Sequence, residues 1–557
     1  MSDCNRRLFA AARNDCKRVL NDAKSLFAAR MKERIASRKF GSKDYWRLCK
    51  SVLNKCKPSI PPLFNQFEVL TSSTDKAECF ARKFSSNSTL DSSGVPIPDF
   101  PLRTEAILSG LNITPTLSPS LFGKIFEALI NTGVVNHLTS NNLLSDKQYG
   151  FRFARSTADV LTAITETVYR TLQNNGEARA VALDISKAFD RVWHAGLLRK
   201  IQGYGITGQL YNVIQSFLSN RELKVVHNGF SSSSYPTNAG VPQGSILGPT
   251  LFLIYINDLP DAVTSQVGIY ADDTTIYSCL KNKSSLADKT HLAVRLEKDL
   301  QSIVNWGKIW LVNFNASKTK LLSINHHREP SLPSIIMSDA QLPESNSLRL
   351  LGLTLTADLR WNKYIESIAS STSRKVGSLS RARKFFSPES ILQIYKSTIR
   401  PCMEYCCHIW SGAPSVCLGV LDRLQRRICN MVGPTLASRL QSLSHRRTVA
   451  SLSVCSTNTF MEIAPRNCIR WFPNFMSSSA LRGWHPALTP SLSKLINVAV
   501  STTLIASCLA LLACGTLFPS PVSLRVIISS YSSVMSIDIS SCLNLSTTLI
   551  LSSITPI

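Results

Sequence analysis

A chain of 557 residues is long enough for two to four domains and for more than one sizeable core. Its formal charge of +26, from 62 lysines and arginines against 36 aspartates and glutamates, points to a polyanionic partner, nucleic acid first, because basic side chains that neutralise phosphates release counterions. Sixteen cysteines are scattered behind a polar, basic start with no apolar leader, which argues against a secreted disulfide scaffold and for reduced thiols in an intracellular protein of the cytoplasm or nucleus.

Residues 1–59 hold 16 basic and 5 acidic side chains, and the recurrence of Leu8, Val19, Leu26, Phe27, Ile35, Trp46 and Leu48 predicts helix through residue 57. This stretch reads either as a basic amphipathic arm on RNA or as a solvated helical linker. Pro58, Pro61 and Pro62 end it, since proline cannot continue a helix. Residues 58–119 read as a Ser/Pro-rich linker with one helix around 76–84. From Ser120 the periodicity sharpens: Leu121, Phe122, Ile125, Phe126, Leu129, Ile130, Val134, Val135 and Leu138 predict an amphipathic helix packed in the core.

A turn at 141–145 leads into Gln148-Tyr149-Gly150-Phe151-Arg152, after which Ser156 or Thr157 caps a helix running to Leu172. Residues 178–185 alternate as a strand that ends on Asp184. Helix resumes over 197–218, interrupted by Gly203, Gly205 and Gly208, and short strands at 223–226 and 233–238 lead into the loop Gly240-Val241-Pro242-Gln243-Gly244-Ser245-Ile246-Leu247-Gly248-Pro249. Pro249 suits the first turn of a buried helix over 251–259. Residues 268–277 predict a β-hairpin with Asp272-Asp273 at its tip. A charged helix over 291–311, strands at 318–324 and 348–355, and a basic helical region over 364–432 follow. Strands and helices that do not strictly alternate predict an α+β fold.

Cys402, Cys406, Cys407 and His408 form the densest thiol cluster, with Cys402 and Cys406 expected on one helical face. A zinc site needs a second ligand pair at suitable spacing, and none stands nearby, so these read as small packing residues. Beyond Met461 only seven charged residues remain and Ser, Leu, Ile and Thr dominate. Residues 451–557 are expected to fold poorly. Their uncharged stretch contains one candidate membrane span at 495–518, diluted by Ser and Thr, so membrane association is not expected.

Adjacent aspartates repel one another unless solvent or a cation intervenes, and a hard divalent metal is their natural partner. Asp184 and Asp272 each end a predicted strand, and a sheet that sets those strands side by side would gather the acids around two cations, the arrangement used for in-line phosphoryl transfer. In this order and spacing, Val181-Ala182-Leu183-Asp184-Ile185-Ser186-Lys187-Ala188-Phe189-Asp190, the 240–249 loop and Tyr270-Ala271-Asp272-Asp273 resemble the catalytic motifs of reverse transcriptases. Residues 148–159 and Leu350-Leu351-Gly352-Leu353 resemble the non-LTR retrotransposon branch, close to jockey-like elements.

The resemblance implies an RNA-directed DNA polymerase with a right-hand palm over 120–360 and a basic helical thumb over 361–450. Its substrates would be an RNA template, a DNA primer and dNTPs, with two Mg2+ ions that Mn2+ could replace. Asp184, Asp272 and Asp273 resemble the metal ligands. Phe189 resembles the aromatic gate against a ribose 2′-hydroxyl, and Gln243 and Gly244 the loop beneath the nucleotide. Lys318 resembles the general acid toward pyrophosphate, Arg152 a template contact, and Leu351 and Gly352 the primer-grip turn. No protein partner is implied.

Two departures stand against these matches. The loop at 114–120 joins the next helix directly, with no strands to clamp a triphosphate, so the fingers are expected to be truncated and catalysis impaired. Residues 1–100 are too few for the endonuclease that accompanies this branch, so target nicking is not expected. The alternative is a catalytically inactive retrotransposon remnant that only binds nucleic acid. A group II intron-type maturase would share the palm, but the residues around Gln148 and Leu351 count against it.

Overall fold

The computed structural model describes residues 3–53, 60–65, 68–110, 122–281, 284–325, 333–337, 340–460, 525–530 and 533–538. Two units separate, Met1–Glu462 and Ile463–Ile557. In chain order the first unit begins with α1 (Asp3–Ala36), α2 (Lys43–Val52), β1 (Leu63–Asn65), β2 (Glu68–Leu70) and α3 (Ser73–Asn87). Helix α1 packs only by its end: Ala28, Met31 and Ile35 are buried and Phe27 meets the Phe385 ring edge-on, whereas every side chain from Phe9 to Phe27 is exposed. Helices α4 (Phe122–Ser140) and α5 (Thr157–Gln173) precede β3 (Glu177–Leu183). The Asp159 carboxylate accepts from the Ser156 amide and hydroxyl, which closes the first turn of α5 where the sequence placed a cap.

Next come α6 (His194–Gly203), α7 (Gly208–Leu218), β4 (Arg221–Leu223), β5 (Val226–His227), β6 (Phe230–Ser231), β7 (Tyr235–Thr237), α8 (Gly248–Ile256), β8 (Gln266–Tyr270) and β9 (Asp273–Leu280). The single strand expected at 223–226 is split, β4 pairing with β7 and β5 with β6. After α9 (Leu286–Ile309) and β10 (Lys320–Ile324) follow two small hairpins, β11 (Ile336–Met337) with β12 (Ala340–Gln341) and β13 (Ser347–Leu350) with β14 (Leu353–Thr356). Helices α10 (Asn362–Ala382), α11 (Pro388–Ile394), α12 (Arg400–Glu404), α13 (Cys407–Trp410), α14 (Ser415–Val432), α15 (Pro434–Ala437) and α16 (Leu443–Phe460) complete the unit. In the second unit, β15 (Arg525–Ser530) pairs antiparallel with β16 (Ser533–Asp538).

The centre is a four-stranded antiparallel sheet in the order β10-β3-β9-β8, and alternation along β3 divides two cores across it. Ala178 and Ala180 face one core, with Val160, Leu161, Ile164 and Val168 of α5, the β13–β14 hairpin and the helices from α10 onward. Val181 and Leu183 face the other, with Leu197, Leu251, Leu296 and Leu300 of α6, α8 and α9. Both faces of the sheet are therefore covered, which encloses even Arg179 of β3.

Inside the second core Lys200 is fully buried. Its ammonium donates to the Tyr255 carbonyl at 2.6 Å, pairs with Asp258, and lies 3.8 Å from the centre of the Trp310 ring. Trp306 Nε1 donates to the second Asp258 oxygen at 3.1 Å.

Two expectations need correction. Helix α4 is core along one stripe only: Ile130, Val134 and Leu138 are buried, but Ile125, Phe126 and Leu129 are 52%, 40% and 48% exposed, because nothing described packs on that side of its first turns. Cys402 and Cys406 do not share a helical face, because the helix breaks after Glu404 and Cys406 takes a left-handed conformation at φ 49°. His408 bonds Thr162 at 2.9 Å, and among the described residues no three His, Cys, Asp or Glu side chains are gathered to hold a metal ion. No helix among the described residues is long and apolar enough to cross a membrane; the candidate span at 495–518 lies outside them.

Candidate active site

Strand register assembles the site. Leu183 pairs with Thr274 across the β3–β9 ladder, so one step further Asp184 stands opposite Asp273. On the other side Ala182 pairs with Lys320, which brings Lys318 level with Asp184. The two side chains meet: Lys318 Nζ lies 3.4 Å from Asp184 Oδ2. That oxygen accepts no hydrogen bond, while the Asp184 carbonyl is held by the Asn315 amide at 2.9 Å. Because β8 and β9 pair up to Tyr270 and Asp273, their connection is the two-residue turn Ala271-Asp272. Ala271 has φ 57°, the left-handed value that such hairpin turns demand of their first residue and that usually selects glycine.

The acids are mutually uncomfortable. The Asp272 carboxyl is pushed above the usual carboxylate range, first by withdrawal from water and then by the charge of Asp184. Asp273 is raised as well, by withdrawal from water, then by Asp272, then by Asp184, although part of its side chain remains at the surface. Three hard carboxylates that repel one another, one with an oxygen that accepts no hydrogen bond, are the donor chemistry that suits a divalent cation. As the side chains stand, they are not drawn together tightly enough to form a ready-made ligand set.

The glycine loop lies alongside. The Gly240 amide donates to Val192 O and that of Val241 to Phe189 O, both at 2.8 Å. Gly240 has φ 89°, and a Cβ there would stand 2.6 Å from the Asp190 carbonyl oxygen, so only glycine permits this approach. Gln243 is exposed and its Nε2 donates to Asp190 Oδ1 at 2.8 Å; Gly244, at φ 89°, has open space where a side chain would be. The half-buried Phe189 ring stacks on Phe252, centroids 4.3 Å apart, and meets Phe151 edge-on at 6.1 Å.

Arg152 sits in the loop before α5 with its guanidinium engaged locally, donating to Ser145 O at 2.6 Å and lying 3.8 Å from Asp146. Leu351 and Gly352, at φ 45° and 87°, form the turn between β13 and β14. Tyr405, which sequence reasoning did not single out, donates from its hydroxyl to Leu351 O at 2.6 Å and lies 3.2 Å from Thr157 Oγ1. Its position after a helix of the basic region gave no sign of this, because the partners are distant in the chain. Gln148, also overlooked as a site residue, touches the acidic turn directly.

Residues 116–355 match a protein family described as reverse transcriptase (RNA-dependent DNA polymerase). The chain is 29% identical over 405 residues to the RNA-directed DNA polymerase from mobile element jockey of Drosophila melanogaster, covering 68% of this chain and 43% of that protein. It is 27% identical over 344 residues to the probable RNA-directed DNA polymerase from transposon X-element of the same species, covering 60% of this chain and 36% of that protein. The chain thus spans less than half the length of these relatives. Among solved structures, telomerase from Candida albicans in complex with a telomeric RNA fragment aligns over 56% of this chain and 55% of its own at TM-score 0.32 and 11% identity.

Proposed function

We propose that the chain, whose residues 116–355 match the reverse transcriptase family and which is similar to the jockey polymerase, is an RNA-directed DNA polymerase that adds dNTPs to a DNA primer on an RNA template. The observation that carries this reading is the register that brings Asp184, Asp272 and Asp273 to one end of the central sheet. Residues 120–360 then act as the palm and 361–450 as the thumb, with 1–57 a basic arm, 58–119 a linker and 451–557 an atypical tail.

Asp184 and Asp272, with Asp273 in support, would hold divalent cations, two Mg2+ for which Mn2+ can substitute. The chemistry such ions would supply there is a lowered pKa for the primer 3′-hydroxyl and charge neutralisation on the leaving pyrophosphate. The chain's own residues do the rest. Lys318, which lies beside Asp184 with its ammonium toward solvent, would give a proton to the departing pyrophosphate. The Phe189 ring, backed by Phe252, is a rigid wall against a 2′-hydroxyl. Gln243 and Gly244 offer an amide and an unobstructed backbone beneath the incoming base pair. The Leu351-Gly352 turn bears on the primer strand. Arg152 orders the loop that meets the template, one guanidinium nitrogen holding Ser145 O while the others remain able to donate.

Purified chain given an oligo(dT)-primed RNA template, dNTPs and Mg2+ is expected to extend the primer, and Asp272→Asn to abolish extension. Equal extension by both proteins would sink this reading. The second reading is an inactive nucleic-acid-binding remnant, motivated by the expected truncation of the fingers and by the basic charge of residues 1–59. It calls for salt-sensitive RNA binding with no extension in either protein.

A further inference from the structure

Gln148 lies on the segment that runs parallel beside β8, where the Tyr149 amide donates to Ile269 O at 2.8 Å and the Ile269 amide to Lys147 O at 2.9 Å. Its side chain is 1% exposed and ends at the acidic turn. Oε1 accepts from the Ala271 amide at 3.0 Å and from the Gly150 amide at 2.8 Å, and Nε2 lies 3.4 Å from the Ala271 carbonyl. One buried amide therefore grips both backbone polar groups of the residue before Asp272. Ala271 is the residue that most needs holding, since a Cβ makes its φ of 57° unfavourable. Gly150 completes the grip, because a Cβ there would stand 2.3 Å from the Ala271 nitrogen.

Resting on the polymerase reading above, we propose that Gln148 is a positioning residue, whose carboxamide locks the strained Ala271-Asp272 turn and so fixes the direction in which the Asp272 carboxylate points. It touches neither substrate nor metal. A buried carboxamide satisfied by two amides costs nothing while the turn keeps this shape, but a turn that relaxes toward negative φ would leave those groups unpaired in the interior. The amide and the turn hold each other in one conformation.

The test compares wild type, Gln148→Met, which keeps length but removes every polar atom, and the double variant Gln148→Met/Ala271→Gly, in which glycine accepts positive φ unaided. Hydrogen–deuterium exchange of the peptide spanning residues 266–275 reads the turn without reference to activity; primer extension against Mg2+ concentration reads its consequence. Gln148→Met is expected to speed exchange at Ala271 and to lower the extension rate at limiting Mg2+ by about 10–100-fold. Primer–template affinity should stay near wild type, the melting temperature should fall only modestly as the Ala271 and Gly150 amides lose their acceptor, and Ala271→Gly should restore part of the rate. Unchanged exchange overturns the proposal, as does a loss that follows primer–template affinity or that the glycine leaves untouched. If wild type fails to extend, the polymerase reading falls while the exchange arm still decides the turn. If Gln148→Met does not fold, Gln148→Glu, which retains an acceptor for both amides, must keep Ala271 protected, and fast exchange there overturns the proposal.

Discussion

At the scale of single residues, two charge arrangements withdrawn from water respond to pH in opposite directions. The acidic site is a source of instability: Asp272 is raised by loss of solvation and by Asp184, so the folded chain holds protons there that the unfolded chain releases, and the group opposes folding at neutral pH. Asp272→Asn should therefore raise the melting temperature in EDTA, and Mg2+ should raise that of wild type more than that of the variant. Calorimetry with and without metal checks both, and a variant less stable than wild type in EDTA would contradict this account. Lys200 has the reverse charge and the same penalty. Burial lowers its pKa from 10.5 to about 8 despite the pull of Asp258. The unfolded chain thus binds one more proton between pH 8 and 10, and over that window wild type should gain stability relative to Lys200→Met. Denaturant melts of both proteins at pH 8 and pH 10 measure it; a wild type that loses stability relative to the variant as the pH rises would refute the assignment.

At the scale of elements, α4 shows how a periodic pattern can be right about helix and wrong about burial. Its apolar arc is wider than the contact it makes, so Ile130, Val134 and Leu138 are enclosed while Ile125, Phe126 and Leu129 face outward. The two halves of the arc should respond differently. Leu138→Ala should cost about 2–5 kcal/mol from lost burial and the cavity left behind. Phe126→Ser should cost less, about 1 kcal/mol, because 40% of its surface already lies in water, and should improve solubility by shrinking an exposed apolar patch. Urea unfolding of the two variants separates these outcomes, and similar losses at both positions would mean that the outer face is covered in solution. The hairpin β8–β9 is the opposite case. Its strands and turn were legible from alternating β-branched residues around Asp272-Asp273, because hairpin formation is local.

At the scale of the whole molecule, the net charge of +26 sets the expected binding mode. Arg426 and Arg427 are exposed on α14 within the basic helical region. If that region tracks phosphates, replacing both with alanine should flatten the plot of log binding constant against log salt by roughly 1.5, at about 0.7–0.9 per released contact. Anisotropy of a labelled RNA–DNA duplex gives the slope, and an unchanged slope would remove α14 from the interface. The sequence by itself determined much of this protein: the α+β class, a helix cap at Ser156 or Thr157, the strand ends leading to Asp184 and Asp272, the loop glycines and the segregation of basic charge. Each depends on neighbours within a few positions, where propensity, periodicity and turn chemistry act. Only the tertiary structure decided the face that α4 leaves open, the local engagement of Arg152, the place of Lys318 beside Asp184, the burial of Lys200 and the grip of Gln148 on Ala271, 123 positions away. Those features follow from strand register and side-chain packing between distant segments, and no local preference of the chain specifies either.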